Sequence, residues 1–549
     1  MLLHDYLTGA AQRDPDRTAL VMGAERVSYG QLEESTNRLA RLVRAHGCRP
    51  GDRVCLLAPK SPATIAGMLA VLKAGGAYVP IDSASPAPRI ARIFASADPS
   101  LVLVDPGAAG LIDELLASGG LGGDVVIGSV SGPVAGERFG AAFAASDCSR
   151  LPSTPLERRG AAGDIAHLLF TSGSTGDPKG VVITHANVVA FVEWAVGYFG
   201  TRATDRISGH PPLHFDLSTF DIYGTFAAGA ELRLVPADLS VNPHALAGLI
   251  RDAELTQWFS VPSVLTYMAK FNAVAQGDFP RLERLLWCGE VLPTPVLLHW
   301  MRRLPHVRFT NLYGPTEATI ASSYYSVPEC PADETQAIPI GVPCAGEELL
   351  VLDERLAPVG QGEIGDLYIG GVGLSPGYWR DEAKTAAAFV PDPRDPAAGT
   401  RIYRTGDLAR VGAGGLVEFL GRADSQIKSR GYRIELGEIE AAMNAIDGVR
   451  ECAVVGVDTG GFEGTAICCA YAGADTAELK PVVLRRRLSK ALPAYMLPVR
   501  WMRLDALPKN VNGKIDRRAL RERFAERITE RSMQRAAVGA RSLTRPAGQ

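Results

Sequence analysis

Short apolar, β-branched runs alternate with amphipathic stretches through the first half of the chain. RVCLLAP at 53–59 reads as a buried strand. Ser61 follows as a helix cap with Pro62 at the first helical position, and TIAGMLAVLKA continues the helix to a stop at Gly75–Gly76. AYVPID at 77–82 is the next strand. Repeated strand–helix–strand units predict a parallel sheet with covering helices. Residues 106–162 are rich in Gly, Ala and Ser and predict one short helix, LIDELLAS at 111–118, with mostly loop beyond it. From about 330 the pattern becomes Gly-punctuated, as in EELLVLDERLAPVGQGEIGDLYIGG at 347–371, which predicts antiparallel hairpins. A third pattern begins near GRADSQIKSRGYRIE at 421–435. It predicts helix (LGEIEAAMNAI), strands (ECAVVGVD, AICCAYAG), helix (PVVLRRRLSKAL), strand (RWMRLDALP) and a last helix (DRRALRERFAERI). The expected fold class is α/β. A large N-terminal domain carries parallel-rich sheets covered by helices and a small β-barrel-like part, and a small α+β C-terminal domain follows.

The 549 residues exceed what one hydrophobic core usually holds, so two or more domains are expected. With 46% hydrophobic and 21% charged residues the composition is that of a globular protein, and the net charge of −3 gives no sign of a nucleic-acid partner. Nine cysteines are scattered without a C-x-x-C pair, which argues for reduced thiols and against a zinc site or disulfide framework. The N-terminus has no basic, apolar signal pattern, and the longest apolar run is cut by Lys73. A cytoplasmic protein without a membrane span is expected.

Residues 171–180 read TSGSTGDPKG. Glycines, hydroxyls and one lysine in so few positions suit an anion such as phosphate, because freed backbone N–H groups and a charge can converge on it. The P-loop pattern is absent, since Lys179 is followed by Gly180. Companion motifs are NLYGPTE at 311–317, YRTGD at 403–407, GRADSQIKSRG at 421–431 and NVNGKIDR at 510–517. KAGGAYVPID, FDLS, LYIGGVGLSPGYW and LPAYMLP stand among them in the same order. This ordered set, running from about 5 to 525, closely resembles the adenylate-forming enzymes, in particular the amino-acid adenylation domains of nonribosomal peptide synthesis. Phe170, Asp366 and Pro376 depart from the usual motif residues, none at a position assigned to chemistry.

The resemblance implies that a carboxylate attacks the α-phosphate of ATP and expels pyrophosphate, with Mg²⁺ present. The loop Thr171, Ser172, Gly173, Ser174, Thr175, Gly176 and Lys179 would wrap the β- and γ-phosphates. Gly289, Asn311 and Gly314 would border the nucleotide, Tyr313 would stack on adenine, Asp407 would accept the ribose hydroxyls and Arg422 would be a second nucleotide contact. Thr316 would bond a phosphate, Glu317 would hold Mg²⁺, and Lys514 would bridge the substrate carboxylate and the α-phosphate. Asp424 matches the family hinge, and Lys428 and Gly431 the segment presented for thiol attack. The implied domains are an adenylation core at 1–423, a mobile C-terminal domain at 424–530 and a disordered tail at 531–549.

FDLS places Asp216 where amino-acid-activating relatives hold the substrate α-ammonium. The family's pocket positions fall on Asp216, Leu217, Phe220, Phe259, Leu286, Cys288, Leu312, Ile320 and Ala321, closed by Lys514. Only the two end members are charged, so a small or medium apolar amino acid fits. The lining is similar to that of proline-activating enzymes, which makes L-proline the first expectation, with alanine, valine and β-amino acids open. An acyl-CoA synthetase acting on a non-amino carboxylate is the alternative. Without a carrier-protein motif in the chain, a stand-alone peptidyl carrier protein with a phosphopantetheine arm is the expected acceptor, and coenzyme A the runner-up. A small helper protein stays open as a further partner. A P-loop NTPase, an aminoacyl-tRNA synthetase and an inactive binding module fit the motif set less well.

Overall fold

The computed structural model describes residues 1–157, 159–173, 176–397, 399–424, 426–459, 465–473, 479–510 and 514–528. The expected disordered tail lies outside them, as do Ser174 and Thr175. The chain forms two compact units. One comprises Met1–Thr171 and Pro178–Asp424, and the other Ser172–Asp177 with the described residues of Ser425–Gln549.

The first unit is built on two large sheets. A nine-stranded sheet runs Val342–Pro343, Ser323–Ser326, Arg308–Tyr313, Arg284–Trp287, Gln257–Ser260, Arg206–Gly209, Glu231–Leu234, Thr18–Met22 and Glu25–Ser28. All neighbours from Arg308–Tyr313 through to Thr18–Met22 are parallel, and the outer strands are antiparallel. A seven-stranded sheet runs Phe143–Ala144, Val126–Ser129, Leu101–Val104, Arg53–Leu57, Ala77–Pro80, Ile165–Thr171 and Lys179–Thr184. It is parallel except at its last pair. Helices Leu3–Arg13, Tyr29–Ala45, Pro62–Ala74 and Leu217–Ala228 share one core with residues of both sheets, including Leu20, Leu232, Val54 and Leu56. A helix covered from several sides can be apolar all round. This accounts for the unbroken apolar run of Pro62–Ala74, buried along most of its length. A five-stranded antiparallel sheet, Glu347–Leu352, Ile364–Gly371, Arg401–Val411, Phe389–Pro391 and Val417–Arg422, completes the unit.

The second unit is α+β. Its hairpin Gln426–Ser429/Tyr432–Glu435 turns on Arg430 and Gly431, both at positive φ (55° and 80°), as a tight two-residue hairpin turn requires. Helix Leu436–Asn444, the antiparallel pair Val449–Asp458/Thr465–Gly473, helix Pro481–Leu488, strand Arg500–Arg503 and a helix over 517–528 follow. Among the described residues no helix is long and apolar enough to cross a membrane.

Local signals give the clearest matches to the sequence reading. Ser61 Oγ accepts from the Thr64 N–H, and Gly75 ends that helix at φ 90°. In the region 106–162 the expected short helix forms at Ala109–Ala117, and the mostly irregular chain beyond it holds short elements that the pattern does not show. Val126–Ser129 is a strand paired parallel to Leu101–Val104, and Ala145–Arg150 is a 3₁₀ turn. The surrounding glycines mask a strand whose stability comes from its neighbour. RWMRLDALP is strand only over Arg500–Arg503.

Arg284 opens a central strand and is buried with Asp205, at 4% and 1% side-chain exposure. Its Nη2 donates to Asp205 Oδ2 at 2.5 Å and its Nη1 to the Phe199 carbonyl at 3.0 Å. Removing one partner of such a pair strands the other charge away from water. Asp205→Ala should cost about 3–5 kcal/mol, read as an early shift of the first urea-unfolding transition. A loss below about 1 kcal/mol, the value of an exposed pair, would refute the assignment.

Candidate active site

The parallel strands of the nine-stranded sheet bring the expected pocket positions together. Phe259 and Leu286 are direct partners on adjacent strands, Leu312 lies on the next strand, and Cys288 follows Arg284–Trp287. Helix Leu217–Ala228 adds Leu217 and Phe220, which share a face at a spacing of three. These side chains, with Ile320 and Ala321, belong to one buried apolar cluster that also holds Phe191, Ala195 and Phe199. Phe220 meets Phe191 and Phe259 edge-on, with ring centroids 5.4 and 5.9 Å apart. The cluster is apolar throughout, so a strongly polar group placed against it would gain little recompense for lost hydration.

Asp216 stands at the N-cap of the same helix, but its side chain makes no cap bond. Its carboxylate, in a residue 9% exposed, instead accepts from Thr316 Oγ1 at 2.8 Å. Two residues that the sequence assigned to different substrates thus share a hydrogen bond. Beyond Thr316 the backbone takes positive φ at two β-branched residues in succession, Thr319 (55°) and Ile320 (70°). Such residues seldom adopt this conformation, and surrounding contacts must hold it. Thr319 Oγ1 donates to the Gly373 carbonyl at 2.7 Å, and Cys288 Sγ donates to the Ile320 carbonyl at 3.8 Å.

Glu317 is fully buried, at 0% exposure. Its Oε1 accepts from the Tyr378 hydroxyl at 2.7 Å and from Lys179 Nζ at 3.2 Å. Lys179 Nζ also lies 4.6 Å from the Tyr378 ring centroid. The lysine expected on phosphate and the glutamate expected on Mg²⁺ are therefore neighbours. Among the described residues no three His, Cys, Asp or Glu side chains gather as a metal cage. One hard carboxylate fits a Mg²⁺ that takes most of its ligands from phosphate oxygens and water.

A second buried carboxylate, Asp407, accepts from the Tyr313 hydroxyl at 2.5 Å and from Arg422 Nη1 at 2.6 Å. Burial, then the Asp407 charge, pushes the Tyr313 pKa well up, so the phenol keeps its proton and serves as donor. Arg422 also grips Asp424, the last residue of this unit, through Nε at 2.7 Å and Nη2 at 2.6 Å. Asn311 donates to the Pro339 carbonyl at 2.8 Å. A Cβ on Gly314 would lie 2.6 Å from the Ala321 Cα, so no other residue lets these backbones approach so closely. Gly289 sits at φ 97° after Cys288.

Within the 171–180 loop, the Gly176 N–H donates to the Gly173 carbonyl at 3.0 Å. A Cβ on Gly173 would fall 2.1 Å from the Asp177 carbonyl oxygen. The loop leaves no room for a side chain there, as an anion cradle made of backbone requires. Thr171 Oγ1 is buried with no hydrogen-bond partner among the described residues. Ser172 Oγ donates to the Arg433 carbonyl at 2.6 Å and accepts from the Glu435 N–H at 3.2 Å. In the second unit Lys428 lies on the strand before the Arg430–Gly431 turn. Lys514 is exposed, its backbone exchanging hydrogen bonds with Asn510.

Tyr378 and Glu347 escaped the sequence reading. Tyr378 stands inside a recognised motif, GYW, but nothing local ties it to Glu317. Glu347 leaves no signal at all. Its Oε1 accepts from the Gly373 N–H at 2.6 Å, on the loop that holds Thr319 and whose Ser375 N–H donates to the Glu317 carbonyl at 2.9 Å. Burial raises its pKa from 4.5 to about 8, against the Gly373 bond. Between these values the folded state binds the extra proton, so Glu347 contributes stability at low pH that is lost as pH rises through about 8. Glu347→Gln removes that titration. The melting temperature of the variant should gain on wild type from about pH 5 to about pH 8, and a constant difference would contradict it.

Comparison with known proteins identifies the family. Residues 7–379 match the family model described as AMP-binding enzyme, and 438–514 match the AMP-binding enzyme C-terminal domain. Tyrocidine synthase 3 of Brevibacillus parabrevis is 34% identical over 524 residues, covering 94% of this chain and 8% of that much longer protein. The chain therefore spans a small part of such a relative. The crystal structure of IdnL1 superposes with a TM-score of 0.75 at 30% identity, over 92% of this chain and 99% of that one. Holo-PA1221, described as a nonribosomal peptide synthetase protein containing adenylation and PCP domains, gives 0.77 at 28%, over 95% and 84%. This chain belongs to the AMP-binding enzymes, the adenylate-forming ligases, and carries both of the family's domains.

Proposed function

We propose that the protein activates a small apolar amino acid, L-proline first, as its aminoacyl-AMP and passes it to the phosphopantetheine thiol of a carrier protein. The observation that carries this reading is Asp216: a carboxylate at the edge of a cluster otherwise lined by Leu, Phe, Ile, Ala and Cys. An ionised carboxylate accepts several hydrogen bonds, so Asp216 can receive an α-ammonium beside the Thr316 hydroxyl. The apolar cluster then takes the side chain. A relative supports the carrier: holo-PA1221 is a nonribosomal peptide synthetase protein that contains adenylation and PCP domains.

The chemistry asks for positioning and for charge stabilisation as the amino-acid carboxylate attacks the α-phosphate. In this reading Asp407 receives the ribose hydroxyls, and the glycine cradle at 171–180 the leaving pyrophosphate. Lys179, already paired with Glu317, supplies positive charge at the departing phosphates. Glu317 would hold Mg²⁺, which when bound neutralises phosphate charge. Lys514 contributes its ammonium to the carboxylate and α-phosphate oxygens. Asp424 is the pivot for the second unit's movement, with Lys428 and Gly431 on the face that meets the thiol.

Amino-acid-dependent ATP–pyrophosphate exchange tests this directly. Lys514→Ala should lower exchange about 10²–10³-fold, while binding of ATP persists; unchanged exchange would remove Lys514 from catalysis. In an amino-acid panel, proline or another small apolar amino acid should exchange. Exchange with none would void the role of Asp216. Label transfer should go to a holo-carrier protein; transfer to coenzyme A alone would overturn the carrier assignment.

A further inference from the structure

The chain that delivers Asp216 leaves the central strand Arg206–Gly209, passes through His210–Phe215 and enters helix Leu217–Ala228. The Gly209 carbonyl still accepts from the Val235 N–H at 3.2 Å, whereas the carbonyls beyond it leave the ladder and must be satisfied otherwise. Here one side chain from the other large sheet meets them. Lys60 Nζ donates to the carbonyls of Gly209 at 2.5 Å, His210 at 2.7 Å and Pro211 at 3.3 Å. A lysine ammonium has three N–H donors and no acceptor, so its hydrogen-bonding capacity matches these three carbonyls. We infer that Lys60 is a positioning residue for amino-acid recognition, fixing the 209–216 segment so that Asp216 is presented to the substrate ammonium; this rests on the role proposed for Asp216.

Three features make the coupling directional. Lys60 directly precedes Ser61, the cap of the buried helix Pro62–Ala74, so its backbone is anchored independently of the segment it holds. Downstream, Ser218 Oγ donates to the Phe215 carbonyl at 2.6 Å, and the Phe215 N–H to the Pro212 carbonyl at 3.0 Å. The tether therefore reaches the helix end through short, bonded steps. The groups facing the ammonium add little competing charge. His210 is held neutral by burial and then by Lys60, and burial pushes the Asp221 carboxyl well up. Burial lowers Lys60 itself towards about 7. The three carbonyl dipoles favour the charged form, because a neutral amine has only two N–H groups for three acceptors.

The test compares wild type, Lys60→Met, Lys60→Arg and Asp216→Asn in pyrophosphate exchange, varying amino acid and ATP separately, with hydrogen exchange of peptides covering 210–218. Lys60→Met should raise the amino-acid KM about tenfold or more and leave the ATP KM within about twofold. Exchange at 210–218 should quicken. Parallel rises in both KM values, an unchanged amino-acid KM, or unaltered exchange at 210–218 would each overturn the inference. Should Lys60→Met fail to fold, Lys60→Arg decides by the same readouts. A planar guanidinium cannot meet all three carbonyls as a compact ammonium does, so an amino-acid KM raised about threefold supports the inference and an unchanged one refutes it. Asp216→Asn separates the two readings. If it leaves the amino-acid KM unaltered, the substrate role of Asp216 falls, and with it the inferred purpose of Lys60. If it raises that KM while the Lys60 variants do not, only the positioning role falls.

Discussion

Three of the carboxylates buried in the first unit are each met by a hydroxyl. Thr316 donates to Asp216, Tyr378 to Glu317 and Tyr313 to Asp407. An ionised group away from water is tolerated only when its oxygens are bonded and its charge is answered. Lys179 answers Glu317 and Arg422 answers Asp407. These pairings fix where negative charge stands before any substrate arrives. Catalysis of a reaction between two anions depends on such prior placement more than on any reactive side chain.

The scaffold serves that placement. Parallel strands end together, and in open α/β sheets the chain beyond their carboxyl ends is where ligand-contacting segments gather. Asp216 follows Arg206–Gly209, Cys288 follows Arg284–Trp287, and Gly314 and Thr316 follow Arg308–Tyr313. The same edge is stiffened by bonds that run between elements. Lys60 spans from one sheet to the other, and Glu347 and Thr319 both hold the Gly373 loop, while Arg284 is locked to Asp205 at the opposite, amino-terminal ends of the strands.

What could be read from the sequence was local or ordered along the chain. The Ser61–Pro62 start and Gly75 stop of one helix follow from backbone chemistry over a few residues. The motif set, met in order, pointed to the family that residues 7–379 match. The apolar pocket positions came from that resemblance and do share one cluster. The hydroxyl–carboxylate pairs could not be read, because their partners stand 61, 94 and 100 residues apart. The Val126–Ser129 strand was hidden for a related reason: its neighbour, not its own Gly-flanked sequence, stabilises it. Lys60 carries no local signal, because the three carbonyls it meets belong to residues 209–211.

The positive-φ step at Thr319–Ile320 bears on how a protein of this kind could change its taste over evolutionary time. Leu217, Leu286 and Leu312 project from regular helix and strand, where a new side chain alters volume and leaves the backbone alone. Ile320 does not have that freedom. Its direction is set by a conformation most residues resist, so a substitution there changes wall shape and backbone preference together. Glycine would relax the step and remove the wall at once; a larger branched residue would deepen the strain. With the amino-acid site proposed above, divergence in substrate choice would accumulate first at the leucines, with position 320 changing late and only alongside the contacts that hold it.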